Sequence, residues 1–191
     1  MKAHLSTAIM LGLCGAALLT ACGAKPGDGA EKNGVAPANA PAVAAGMPAN
    51  WRATDACSII DKATMGEVLG VPVTETSLAL VHEPGVADAG TSECTYLLGD
   101  DRASVMTRWS PIGDNSEGVI KAARSTLNQT LKMFGNGKVE DVPGLGKASL
   151  WVDKIGQLQT FIGEDRMVLI TIPSGPGAKD KAIVLAKKAG A

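Results

Sequence analysis

The apolar residues after Trp51 change their spacing several times before the chain ends at Ala191, and this change of period constrains the fold more than any single motif. Apolar residues at every second position are spaced for a strand, whereas recurrence at three and four residues is spaced for a helix with one buried stripe. Asp61 can cap a short helix through Met65, Val68 and Leu69, which stops at Gly70 ahead of Pro72. Residues 73–81, 92–98 and 103–109 then read as extended segments. A Gly-, Ala- and Pro-rich loop containing His82 parts the first two, and Gly99-Asp100-Asp101-Arg102 is a hairpin turn between the others. Ser116 opens the longest helix, to about Met133, in which Val119, Ile120, Ala123, Leu127, Leu131 and Phe134 form one stripe. Beyond Gly135-Asn136-Gly137 the two-residue period returns over residues 147–153, 157–162 and 167–172. Residues 178–189 close the chain as a helix, with Lys179, Lys181, Lys187 and Lys188 on its solvated face and favourably placed toward its C-terminal end.

Runs of adjacent strands separated by helices predict an α+β fold, an antiparallel sheet with helices packed on one face. About 140 residues of such a pattern suit one domain with its own core. Laid on itself with Gly99 over Gly163, the sequence also echoes: Gly99-Asp100-Asp101-Arg102 falls on Gly163-Glu164-Asp165-Arg166, Leu98 on Ile162, Val105 on Leu169 and Thr107 on Thr171. Two hairpin-helix pseudo-repeats would produce this match, and so would two ordinary hairpins built from ordinary turn residues.

Ahead of Trp51 the chain is of another kind. A positive start at Lys2 and an apolar stretch from Ala8 to Leu19 make residues 1–21 a cleavable secretory signal, too short for a spanning helix of about 20 apolar residues. Leu19-Thr20-Ala21-Cys22 resembles the lipobox of bacterial lipoproteins. The resemblance implies that Cys22 receives a diacylglycerol and becomes the new amino terminus; without it the chain is a secreted protein with an incidental cysteine at its cleavage site. In such lipoproteins an aspartate after the lipidated cysteine favours inner-membrane retention in many Gram-negative bacteria. Gly23 stands there, so the expected location is the outer membrane, facing the periplasm; the outer face of the plasma membrane is the alternative. Residues 22–50 are rich in Ala, Pro, Gly and Asn, with no aromatic residue, and read as a lipidated terminus followed by a flexible tether. A coil of that length spans roughly 30 Å.

On that resemblance Cys14 is discarded with the signal and Cys22 carries lipid, which leaves Cys57 and Cys94 in an oxidising compartment. They are expected to form one disulfide, against the alternative of two buried free thiols. A second resemblance extends over residues 51–191. The order Cys57-Ser58-Ile59-Ile60, Leu69-Gly70-Val71, Cys94-Thr95-Tyr96 and Val142-Pro143-Gly144-Leu145-Gly146 is similar to that of small extracytoplasmic lipoprotein domains of bacteria. It implies a sheet-and-helix fold and brings no catalytic residue with it.

Motifs of familiar catalysis are missing from the sequence. There is no His-Glu-x-x-His, no Gly-x-Ser-x-Gly and no suitable Ser-x-x-Lys. With His4 in the signal, His82 is the only imidazole of the mature chain, and a lone loop histidine reads as solvated. Gly144-Leu145-Gly146-Lys147-Ala148-Ser149 superficially resembles a phosphate loop, but Asp141 occupies the first required glycine position and Ala148 follows the lysine, so it reads as a turn into a strand. Asp100, Asp101, Glu164 and Asp165 would hold a hard cation only if two hairpin tips met; as turn residues beside Arg102 and Arg166 they need no metal. Trp109 and Trp151 are expected in the core or on the sheet. The formal net charge of −1 and the lack of a basic stripe exclude nucleic acid as an expected partner. The chain therefore reads as a non-enzymatic envelope module with no cofactor, anchored through Cys22, whose partner is an envelope protein, a cell-wall component or an apolar ligand. The alternatives are a lipid carrier, and a hydrolase of envelope polymers using carboxylates such as Asp61, Glu67, Asp100 or Asp101.

Overall fold

The computed structural model describes residues 46–133 and 137–191; the lipobox with Cys22, the tether before residue 46 and Phe134 lie outside the described residues. Among the described residues there are four helices: α1 (Ala56–Ile59), α2 (Lys62–Leu69), α3 (Glu117–Met133) and α4 (Ala178–Lys188). Seven strands accompany them: β1 (Glu75–His82), β2 (Gly90–Leu98), β3 (Asp101–Trp109), β4 (Val139–Asp141), β5 (Ala148–Val152), β6 (Gln157–Ile162) and β7 (Arg166–Thr171). All seven lie in one sheet in the order β1-β2-β3-β7-β6-β5-β4. Every neighbouring pair is antiparallel, as the α+β reading requires.

Local signals act where the sequence shows them. Asp61 caps α2, its carboxylate accepting from the Thr64 N–H at 2.7 Å, and Gly70 ends the helix at φ 74°, the left-handed conformation that glycine adopts without Cβ strain. Ser116 precedes α3 and accepts from the Val119 N–H at 3.3 Å. His82 ends β1 rather than lying in the loop after it, paired with Thr91. The short α1 and β4 carry too few residues to show a period in the sequence.

Three helices pack on one face of the sheet, as expected, and the fourth departs from that expectation. Cys94, Tyr96, Val105, Trp109, Trp151, Leu158, Val168 and Ile170 form a core with α1, α2 and α4. The alternate residues Leu150, Val152, Phe161 and Met167 point to the opposite face, where Ile120, Ala123, Leu127 and Leu131 of α3 cover them. The reason lies in β5–β7, whose sequence is apolar at consecutive positions such as Leu150-Trp151-Val152 and Phe161-Ile162. A strand apolar on both sides must be covered on both. Away from the turn that joins them, β2 and β3 alternate between buried and half-buried positions, and among the described residues their buried side chains join only the core with α1, α2 and α4.

The two halves are each a hairpin followed by a helix, and β3 and β7 join them at the centre of the sheet. Their residue-by-residue overlay stops at the turns. Leu98 pairs with Asp101 around a two-residue turn, whereas Ile162 pairs with Arg166 around three residues. One extra residue moves every following side chain to the other face. Val105 accordingly lies in the core with α1, α2 and α4, and its counterpart Leu169 packs on the α3 side.

Buried hydroxyls fasten the segment that leads into α1. The Ser92 hydroxyl accepts from the Ala56 N–H at 2.9 Å and donates to the Ala53 carbonyl at 2.7 Å, while Thr107 donates to the same carbonyl at 3.1 Å. Tyr96, the only tyrosine of the chain, donates to the Ile60 carbonyl at 2.5 Å. Burial, with the charges of Asp61 and Asp55 behind it, raises the phenol well above its usual range. The raised value means that the folded state holds the Tyr96 proton more tightly than the unfolded chain, whose phenol ionises near pH 10. Stability is therefore expected to be unaffected by this group below about pH 10 and to fall above it. Alkaline difference absorbance should show no phenolate until unfolding begins. Tyr96→Phe should remove the alkaline slope and cost about 1–2 kcal/mol at neutral pH, because the Ile60 carbonyl loses its donor. A phenolate signal from folded protein near pH 10 would contradict this account.

Candidate functional site

Cys57 and Cys94 form a disulfide with Cα atoms 5.0 Å apart, bridging 37 positions of sequence. It ties α1 to β2 beneath the helices, with Cys94 fully buried. The bridge thus fixes the first helix to the core face of the sheet.

A cleft of about 230 Å³ opens between the end of α2, the β2–β3 turn and the loop from β7 to α4. Leu69, Val71, Leu98, Ile172, Pro173 and Pro176 form its apolar walls, and Asp101 and Lys181 are its charged members. Lys181 donates to the Leu69 carbonyl at 2.8 Å, so its ammonium serves the C-terminal end of α2. Asp101 takes part in none of the ion pairs among the described residues. A shallow groove of about 630 Å³ runs on from it past Val71, lined by Lys62, Ala63, Gly66, Glu67, Pro72 and Val73. Together they make a largely apolar surface with two carboxylates, Asp101 and Glu67, that take part in none of the ion pairs among the described residues, suited to holding a ligand by contact and shape.

The four carboxylates singled out in the sequence fall in different settings. Asp101 lines the cleft and Glu67 the adjoining groove. Asp61 is occupied as a helix cap, and its hydrogen bonds to Thr64 hold its carboxyl below the usual range, which suits a permanent anion and not a general acid. Asp100 sits in the β2–β3 turn and lines neither surface. The two acidic hairpin tips do not meet. In the β3–β7 register Ser104 lies opposite Thr171 and Trp109 opposite Arg166, so the turn before β3 and the turn before β7 are at opposite ends of the sheet. Among the described residues no group of three His, Cys, Asp or Glu side chains is gathered for a metal.

The residues around the second tip hold the structure together. Lys147 binds Glu164 at 2.6 Å, and the Trp109 indole N–H donates to Asp165 at 2.9 Å. Arg166 lies over the Trp51 ring at 5.5 Å, a favourable placement of a cation on an aromatic face. Arg108 binds Asp114 at 2.5 Å and holds its carboxyl below the usual range. The glycine-rich stretch before β5 is a turn: Gly146 has φ 58° and a Cβ there would meet the Phe161 carbonyl oxygen, and the Ser149 hydroxyl donates to the Leu145 carbonyl at 2.9 Å. Trp109 and Trp151 are buried, as expected, and Trp51 joins them.

The cleft residues Leu98, Ile172, Pro173 and Pro176 carried no functional expectation. The Pro- and Gly-rich run Pro173-Ser174-Gly175-Pro176-Gly177 was the available signal, since loops of this composition between a strand and a helix often line sites. No helix among the described residues is long and apolar enough to cross a membrane. The fold and its cleft define a disulfide-bridged α+β domain of sheet and helices. No protein family, curated protein or solved structure matches the chain.

Proposed function

We propose that the protein is a lipid-anchored, extracytoplasmic binding module of the cell envelope, without enzymatic activity, held through Cys22 in the outer membrane and facing the periplasm. The observation that carries the reading is the Cys57–Cys94 bridge. Such bridges persist in oxidising compartments, and the signal with its lipobox supplies the route to one. Residues 22–50 serve as a leash, and the cleft around Val71 and Asp101 is the surface that contacts the partner, an envelope protein, a cell-wall component or an apolar ligand. Its volume is below the roughly 300–1,000 Å³ usual for small-molecule pockets, which favours a chain segment laid along the cleft and groove over an enclosed acyl chain. A carboxylate hydrolase finds less support, because Asp61 is a cap, Asp100 lines neither surface, and Asp101 and Glu67 line different surfaces, the cleft and the adjoining groove.

The test has two readouts. Cys22→Ser should abolish labelling by a fatty-acid analogue and release the protein from membranes; labelling that survives the substitution overturns the anchor. A photo-crosslinking residue at Val71, which is 41% exposed, should capture a discrete envelope component in intact cells, and Asp101→Asn should reduce that capture. Crosslinks only to bulk lipid would overturn the cleft as the contacting surface.

A further inference from the structure

Two loops leave the sheet from facing positions. Gly90 opens β2 opposite Trp109, the last residue of β3, so the loop leading into β2 and the loop following β3 stand side by side at one end of the sheet. Each contains a closed turn. The Gly85 N–H donates to the Asp88 carbonyl at 3.0 Å, and the Gly113 N–H donates to the Ser110 carbonyl at 3.3 Å. Their apices are Val86-Ala87 and Pro111-Ile112. Turns ordinarily place Gly, Pro, Asn, Asp or Ser at such positions, and Val86 and Ile112 depart from that rule. Val86 is 97% exposed and Ile112 62%, so neither serves the core.

The chain enters the domain at this same end. Gly46, the first described residue, lies against Trp109, whose ring would be 3.9 Å from a Cβ placed there. Trp51 lies beneath Arg166, which faces Trp109 across the β3–β7 pairing. The cleft is at the other end, because Leu98 and Asp101 flank the turn where β2 passes into β3. Residues 22–45, as a coil, span roughly 30 Å, about the height of a nine-residue strand.

We propose that the Val86 and Ile112 apices dock on the lipid surface that holds Cys22, a surface of zwitterionic headgroups, and so turn the cleft away from the membrane. The inference rests on the anchor at Cys22. The occupant follows from where the tether joins the domain: the leash keeps this end near the membrane, and this end carries the two apolar apices. Charge selects the headgroup. Glu83 and Asp88 flank Val86, both are exposed, and neither takes part in an ion pair among the described residues, while Arg108 near the second apex is paired with Asp114. Anionic lipid is therefore repelled at the first apex and gains no free cation at the second. Two apolar side chains alone hold a membrane weakly. A short flexible leash raises the local concentration to the order of mM, so a contact too weak for a free domain is populated in the anchored one. The cleft then meets partners that stand off the anchoring leaflet.

Full-length protein, purified from the membranes of the cells that produce it, is reconstituted in vesicles of phosphatidylcholine and phosphatidylethanolamine containing a spin-labelled lipid as quencher. A fluorescent residue at Ala87, exposed beside Val86, should be quenched about threefold or more strongly than the same residue at Asp100, exposed in the β2–β3 turn at the far end. Val86→Asp with Ile112→Asp, both at exposed positions and checked for fold by circular dichroism, should bring the Ala87 signal down to that of Asp100. Replacing a third of the lipid by phosphatidylglycerol should weaken it. Mass spectrometry of Cys22 separates the two readings. A Cys22 without lipid overturns the anchor and the docking together. Lipidated protein overturns the docking alone if Ala87 and Asp100 are quenched equally, if the double substitution changes nothing, or if phosphatidylglycerol strengthens the signal.

Discussion

Replacing both Cys57 and Cys94 by alanine is expected to lower the unfolding free energy by about 4 kcal/mol, the chain-entropy value for a closed loop of this length. For a domain of this size that corresponds to a fall of about 10 °C in Tm. The bridge spans 37 positions and encloses α1, α2, β1 and the following loop, the part of the molecule with the most exposed strand. Without it, this segment is held by the Ser92, Thr107 and Tyr96 hydroxyls and by the contacts of Ile60, Met65 and Leu69 with the core. Two controls separate the causes. Reduced wild-type protein should lose nearly as much stability as the double variant, since loop closure and not side-chain packing supplies the effect. Cys94→Ala alone should behave no better, because it leaves the Cys57 thiol free. Urea denaturation of the oxidised, reduced and double-alanine proteins measures all three, and agreement of the three within about 1 kcal/mol would show that the bridge contributes little.

Gly156→Ala is expected to be nearly as damaging, at about 3 kcal/mol or more. Gly156 follows the 3₁₀ turn Asp153–Ile155 at φ 59°, and a Cβ there would lie 2.0 Å from the Ile172 carbonyl oxygen. Backbone against backbone leaves no flexible side chain to yield. The Ile172 N–H also donates to the Gly156 carbonyl at 3.0 Å, so the displacement would break the contact that holds the end of β7 and, through Ile172, the wall of the cleft. Gly144→Ala provides the comparison. Gly144 has φ 73° but open space where its Cβ would go, so its substitution should cost only the conformational preference, about 1 kcal/mol. Equal losses at the two positions would mean that the collision at Gly156 is relieved by a movement the structure does not show.

Much of the local structure was legible in the sequence because its causes lie within a few residues. Asp61 and Gly70 bound α2 at the positions their chemistry selects, and the stripe from Ile120 to Leu131 is the buried side of α3. The strands of both hairpins fall within two residues of their expected limits. His82 moved from loop to strand because its pairing with Thr91 is set by the partner strand and not by its own neighbours. The candidate site was less legible. Asp101 and Glu67 were marked as possible acids without any sign that one lines the cleft and the other the groove; Val71 carried no functional signal, and Pro173 only the composition of its loop. These residues are brought together from α2, the β2–β3 turn and the β7–α4 loop, and no periodicity records a meeting of that kind.

By itself the sequence determined the period of each element, its caps and turns, the α+β class and, through the placement of its cysteines, the expectation of one bridge between Cys57 and Cys94. The local features follow from steric and hydrogen-bonding preferences that act within about four residues, and the expected bridge from what the lipobox resemblance implies for Cys14 and Cys22. Tertiary structure decided the strand order that sets β3 beside β7, the transfer of α3 to the second face, the exposure of β1 at the edge and the opening of the cleft. Each depends on which distant surfaces find cover. The same apolar strand can be buried on either side until a particular helix lies over it, and a single additional turn residue, as between Ile162 and Arg166, is enough to reverse the side that is offered.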